Sequence, residues 1–75
     1  MILVYVEWLD SCTTPRWNDA TKEPQLCRSF GIQVHRDKTC VTLASSYNGG
    51  TQYLDQVTIP MAVVRKIKRI KYAGA

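Results

Sequence analysis

Few side chains in this 75-residue chain could do chemistry. His35 is the only histidine, and the cysteines are Cys12, Cys27 and Cys40. Cys40 lies across a short charged turn from His35, which invites a thiol–imidazole nucleophile. Such a pair also needs a group behind the imidazole to orient it. His35 falls on the polar side of its strand pattern, so a solvated histidine is the plainer reading. The cysteines are odd in number, far apart and without a C-x-x-C pair, so they build no disulfide framework. Zinc takes about four convergent nitrogen or sulfur ligands in structural sites, so no metal is expected, and no cofactor. Free thiols in a reducing compartment account for all three cysteines. Asp10, Asp19 and Asp37 have no spacing that makes their carboxylates converge. No G-x-x-x-x-G-K-[ST], G-x-S-x-G or H-E-x-x-H run occurs. Gly49-Gly50 reads as a turn rather than a phosphate loop. A binding protein, not an enzyme, is the expectation.

The residues suited to binding fall in three places. Arg16-Trp17 joins a guanidinium, which pairs with phosphate, to a ring that stacks on nucleobases at ~1–3 kcal/mol per base. The alternative is that Trp17 folds back as an apolar lid, and the two roles are compatible. Asp10-Ser11 stands where an apolar segment gives way to a long polar one. These residues either cap a turn through side-chain-to-backbone bonds or accept hydrogen bonds from a base or ribose. Arg65, Lys66, Lys68 and Arg69 form a basic run. Residues 1–55 hold Arg16, Lys22, Arg28, Arg36 and Lys38 against all six acids, whereas residues 56–75 hold those four cations, Lys71 and no acid. The formal charge of +4 is therefore concentrated near the C-terminus, where it either keeps the chain soluble or attracts anions.

The elements that must position these residues read as strands. Ile2 to Leu9 is rich in β-branched and aromatic residues, with Ile2, Val4, Val6 and Trp8 on one face. Asp10 to Gln25 is a polar connection containing Pro15 and Pro24, and loops longer than ~12–15 residues are uncommon in compact domains and often functional. Leu26 to Arg36 alternates, and the pattern places Leu26, Phe30, Ile32 and Val34 inward, with Ser29, Gln33 and His35 outward. Arg36-Asp37-Lys38 turns the chain into Thr39 to Ser46, with Val41 and Leu43 inward. Tyr47-Asn48-Gly49-Gly50-Thr51 carries the residues that adopt positive φ in tight hairpin turns. Gln52 to Ile59 follows, with Val57 and Ile59 inward. The segment from Pro60 to Tyr72 has helical spacing at Val63, Val64, Ile67 and Ile70. Its β-branched content, and the sheet edges left by the preceding strands, favour a 3₁₀ turn at Pro60–Ala62 and then a bent strand. The fold class expected is mainly β: one domain over residues 1–75, a five-stranded small barrel with a long first loop and a 3₁₀ turn before the last strand.

Composition agrees, being 45% hydrophobic and 21% charged, as in globular chains. Met1 to Val6 lacks the basic start of a signal peptide and meets Glu7 and Asp10 at once. No apolar run approaches the ~20 residues that span a bilayer, so no membrane partner is expected. A chain this short buries a small core, worth ~3–5 kcal/mol net, and gains from a partner subunit. A homo-oligomer, at least a dimer, is expected.

Ile59-Pro-Met-Ala-Val-Val64-Arg-Lys-Ile67 resembles the apolar spacing across the last two strands of Sm proteins, with Met61 where those carry glycine. Gly31 and Asp37 keep the offset of their first motif. Gln33 replaces its apolar residue, its asparagine is missing, and the N-terminal helix is absent. The likeness is to the Sm-like or SH3-like architecture. More of the chain resembles small tailed-phage and prophage proteins of unknown function, in Val6-Glu-Trp8-Leu-Asp10-Ser11, Gly31-Ile-Gln-Val34, Leu43-Ala-Ser-Ser46 and Ile59 to Ile67. That resemblance implies a protein of the cytoplasm of an infected or lysogenic bacterial host. It suits an oligomeric sponge that sequesters a nucleotide second messenger of anti-phage immunity. The Sm likeness and the basic run suit an RNA-binding protein instead, and a third expectation is a protein–protein adaptor or minor virion component.

Overall fold

The computed structural model describes residues 1–10 and 25–71. It contains β1 (Leu3–Asp10), β2 (Gln25–Arg36), β3 (Cys40–Ala44), β4 (Ser46–Tyr47), β5 (Tyr53–Leu54), β6 (Val57–Pro60), a 3₁₀ turn (Met61–Val63) and β7 (Val64–Ile70). Five of these form one antiparallel sheet in the order β6-β3-β2-β1-β7, and β4 pairs with β5 as a separate ribbon.

The last third of the chain resolves the competition between helix and strand. Pro60 is extended at φ −61° and ψ 134°, and the 3₁₀ turn begins after it. The Met61 amide donates to the Thr39 carbonyl at 2.8 Å, which fastens the turn to the start of β3. Val64 is extended again, and β7 runs antiparallel along the free edge of β1. A helix here would have left that edge of β1 without hydrogen-bond partners. The pairing sets Ile67 opposite Val6 and so adds an apolar side chain to the core. The expected barrel closure is not present: among the described residues no ladder joins β6 to β7, so the sheet is open. The 3₁₀ turn links the two edge strands directly instead.

Val4, Val6, Val41, Leu43 and Ile59 are buried and form the core. Ile2, Trp8, Met61, Val63, Val64 and Ile67 pack around them. The inward faces expected for the first and third strands are thus as observed. The face expected for the second strand is reversed in its first half. Phe30 is 70% exposed, Leu26 is also exposed, and Ser29 points toward the core side. The reason lies in Trp8. Its indole N–H donates to Ser29 Oγ at 3.0 Å. A partly buried indole requires such a partner, and only inward-facing Ser29 supplies it. Alternation then turns Phe30 outward.

Gly31, the next inward position, lies close against β3. A Cβ there would meet the Ala44 carbonyl oxygen at 3.0 Å and Leu43 Cβ at 3.1 Å. No larger residue fits without displacing the β3 backbone. Val57 is another reversal, exposed although Ile59, two residues on, is buried.

The third and fourth predicted strands are each interrupted. The Ser45 amide donates to the Leu54 carbonyl at 3.0 Å, and Asp55 adopts a positive φ of 55°, so the chain leaves the main sheet as the β4–β5 ribbon and then re-enters it as β6. The ribbon closes at the predicted turn. Gly49 takes φ 84°, and Asn48 Oδ1 accepts from the Gly50 amide at 2.9 Å and from the Gln52 amide at 3.4 Å.

Candidate functional site

The outer face of β1, β2 and β7 is ordered in three rows. Arg28, Glu7 and Lys66 lie opposite one another, then Phe30, Tyr5 and Lys68, then Ile32, Leu3 and Ile70. The face therefore passes from charged through aromatic to aliphatic along the strands. Strand alternation alone produces this, because inward Val4 and Val6 force Leu3, Tyr5 and Glu7 outward.

The middle row carries the unusual feature. Tyr5 and Phe30 have ring centroids 4.9 Å apart at an interplanar angle of 44°. Burying a phenylalanine is worth about 1.5–3 kcal/mol, and Phe30 forgoes most of that at 70% exposure. Around the rings runs a groove of about 750 Å³ lined by Tyr5, Arg28, Phe30, Lys66, Lys68, Arg69, Ile70 and Lys71. Five of these eight residues are cations. Glu7 is the one carboxylate in the three rows and holds Arg28 through a 3.8 Å ion pair, which restrains the guanidinium beside the rings.

Such a surface offers two complementary contacts. The ring faces take a planar π system by stacking, and the cations take negatively charged oxygens. A nucleotide presents both groups on one molecule. The aromatic pair of the β4–β5 ribbon is different. Tyr47 and Tyr53 stack at 4.8 Å and 19°, but the cavity beside them is lined by Ser46, Tyr47, Asn48, Thr51, Gln52, Tyr53, Leu54 and Gln56, without a charged side chain. It offers stacking and amide hydrogen bonds but no partner for phosphate.

Of the residues singled out from sequence, Lys66, Lys68 and Arg69 line the groove. Arg65 is exposed on β7 but does not line it. Asp10 ends β1 opposite Gln25, so the long connection leaves and rejoins the sheet at adjacent positions. Ser11, Arg16 and Trp17 lie outside the described residues. Tyr5, Arg28 and Phe30 were missed. One signal pointed to them: Arg28 shares its strand parity with Phe30, and a charged residue two positions from an aromatic one marks a solvent face.

No protein-family model matches the chain, and neither the curated proteins nor the solved structures provide a match. Among the described residues no helix is long and apolar enough to cross a membrane.

Proposed function

We propose that this protein binds a nucleotide-type ligand without transforming it, with the base on Tyr5 and Phe30 and the phosphates on Arg28, Lys66, Lys68 and Arg69. The observation that carries the reading is the Tyr5–Phe30 ring pair, with Phe30 exposed, Lys68 in the same row and Arg28 and Lys66 in the next. The groove volume of about 750 Å³ suits it, because small-ligand sites span ~300–1,000 Å³. The likeness to phage proteins extends the proposal to a sponge that sequesters a nucleotide signal of bacterial immunity in the host cytoplasm. Sequestration requires burial of ~70–90% of a ligand's surface, and one open sheet face does not supply that. A homo-oligomer, at least a dimer, in which a second copy covers the groove would. The strand order and the 3₁₀ link between the edge strands support an Sm-like or SH3-like strand arrangement, open between β6 and β7 among the described residues.

A second reading, a protein that binds single-stranded RNA, is favoured by the openness of the same face. Rings stacking successive bases beside a basic track is the general mode of single-strand binding.

Native mass spectrometry of the protein purified from bacteria, followed by titration with a cyclic dinucleotide, ADP-ribose and a short oligoribonucleotide, tests both. The sponge predicts a dimer or larger assembly that retains a nucleotide stoichiometrically and releases it intact on denaturation. Phe30→Ala should weaken that binding about tenfold, as loss of one stacking contact of ~1–3 kcal/mol requires. The RNA reading predicts oligonucleotide binding that weakens with salt, and Lys66→Ala with Lys68→Ala should lower the log–log slope by about 1.4. A monomer that binds none of the three probes would refute both, and the adaptor expectation would then lead.

A further inference from the structure

We propose that the β2–β3 turn is a transition-metal site, with His35, Asp37 and Cys40 as protein ligands and zinc or a zinc-like divalent ion as occupant. The three donor atoms, one imidazole nitrogen, one carboxylate oxygen and one thiol sulfur, all lie within 4.8 Å of one another. Scattered cysteines and a lone histidine offer no metal site along the chain, but this turn gathers one donor of each kind at i, i+2 and i+5.

The turn is built so that the donors converge. The Asp37 amide donates to the Cys40 carbonyl at 3.0 Å, and the Cys40 amide donates back to Asp37 Oδ1 at 2.9 Å. The same Oδ1 accepts from the Thr39 amide at 2.8 Å and from Thr39 Oγ1 at 2.7 Å. One carboxylate oxygen is thus saturated by three donors, which fixes the plane of the group. The other, Oδ2, is left to face His35 Nε2 at 2.7 Å. Metal-ligating carboxylates are held in this way by outer hydrogen bonds.

The dimensions suit a small borderline cation. Zinc bonds of about 2.0–2.3 Å to nitrogen, oxygen and sulfur place tetrahedral donors roughly 3.3–3.8 Å apart. His35 and Asp37 need to separate by about 0.6 Å from their 2.7 Å hydrogen-bonded distance, and Cys40, within 4.8 Å of both, needs to approach by up to about 1 Å. His35 and Asp37 are about half exposed, so the imidazole is free to rotate by that much. On binding, the ion takes the place of the hydrogen between His35 Nε2 and Asp37 Oδ2. The neutral imidazole tautomerises through solvent, its proton passing from Nε2 to Nδ1 so that the Nε2 lone pair binds the ion, and the Cys40 thiol releases one proton to solvent. The exposed side of the cluster leaves a fourth position for water, so the site has the open coordination of three protein ligands. The ion would pin the tip of the β2–β3 hairpin, an element separate from the aromatic face of β1, β2 and β7.

Cobalt(II) is the probe, because a thiolate ligand gives it a near-ultraviolet charge-transfer band and four-coordination intensifies its visible bands. Titration of the reduced full-length protein should produce both at one equivalent, and zinc should abolish them. Cys40→Ser should remove the charge-transfer band, and His35→Gln should weaken cobalt binding at least tenfold while circular dichroism stays native. A double variant, Cys12→Ser with Cys27→Ser, should keep the band. Absence of the band at excess cobalt would overturn the site, as would its survival in Cys40→Ser or its loss in the double variant.

Discussion

The two faces of the main sheet spend their large side chains in opposite ways. The inner face buries five aliphatic residues and keeps the Trp8 N–H satisfied through Ser29. The outer face leaves Phe30 in water beside Tyr5 and sets lysine and arginine along one side of the pair. The strand β2 serves both, and the difference between its faces is set by one hydrogen bond and one glycine. A chain this small has little core to spare, so an aromatic residue kept out of it marks the surface on which something else is expected to pack.

The comparison is broken most severely from the inside. Leu43→Ala should cost about 2–5 kcal/mol, as for other buried leucines, and chemical denaturation should show a lower midpoint with an unchanged slope. Phe30→Ala should change stability by less than about 1 kcal/mol, since substitutions at exposed positions have small effects. An equal loss at Leu43 and Phe30 would mean the faces are not distinct.

Smaller effects sharpen the account of β2. Gly31→Ala should destabilise by about 1–3 kcal/mol, because its methyl group meets the β3 backbone. Ser29→Ala strands the Trp8 N–H and should cost about 1–3 kcal/mol. Ser29→Thr retains an acceptor oxygen and should recover part of that loss in the same thermal melt.

The smallest effect concerns acid. Asp37 has a folded pKa depressed below its unfolded value of about 3.9. Its contribution to stability is therefore present above the unfolded pKa and is lost as pH falls through the folded one. Asp37→Asn should melt below the parent at neutral pH, and the difference should shrink as the pH is taken well below the carboxylate range. A gap that widens on acidification would reverse the sign of this argument.

Strand content and the 3₁₀ link were legible in the residues because they depend on local chemistry: β-branched runs, Asn-Gly, and Pro60 before an apolar repeat. The inner face of β1 was legible for the same reason, since Val4, Val6 and Trp8 alternate without conflict. The face of β2 was not. Hydrophobicity assigns Phe30 to the core, and only a contact with Trp8, twenty-one positions from Ser29, reverses it. The basic half of the candidate site was visible as the run from Arg65, whereas the aromatic half depends on that long-range register. The His35–Asp37–Cys40 cluster escaped because its residues looked isolated one by one, and the turn geometry that gathers them is carried by backbone amides.

The open sheet has one further consequence. Its edge strands, β6 and β7, are templates on which further strands could add without end. Pro60 withholds an N–H from the first edge, and Arg65, Lys66, Lys68 and Arg69 line the second with like charge. Like charge along an edge strand disfavours edge-to-edge pairing. Replacing those cations with valine or isoleucine to probe ligand binding would risk turning a well-behaved globule into a seed for cross-β deposits, whereas glutamine or serine would silence the charge and keep the edge safe.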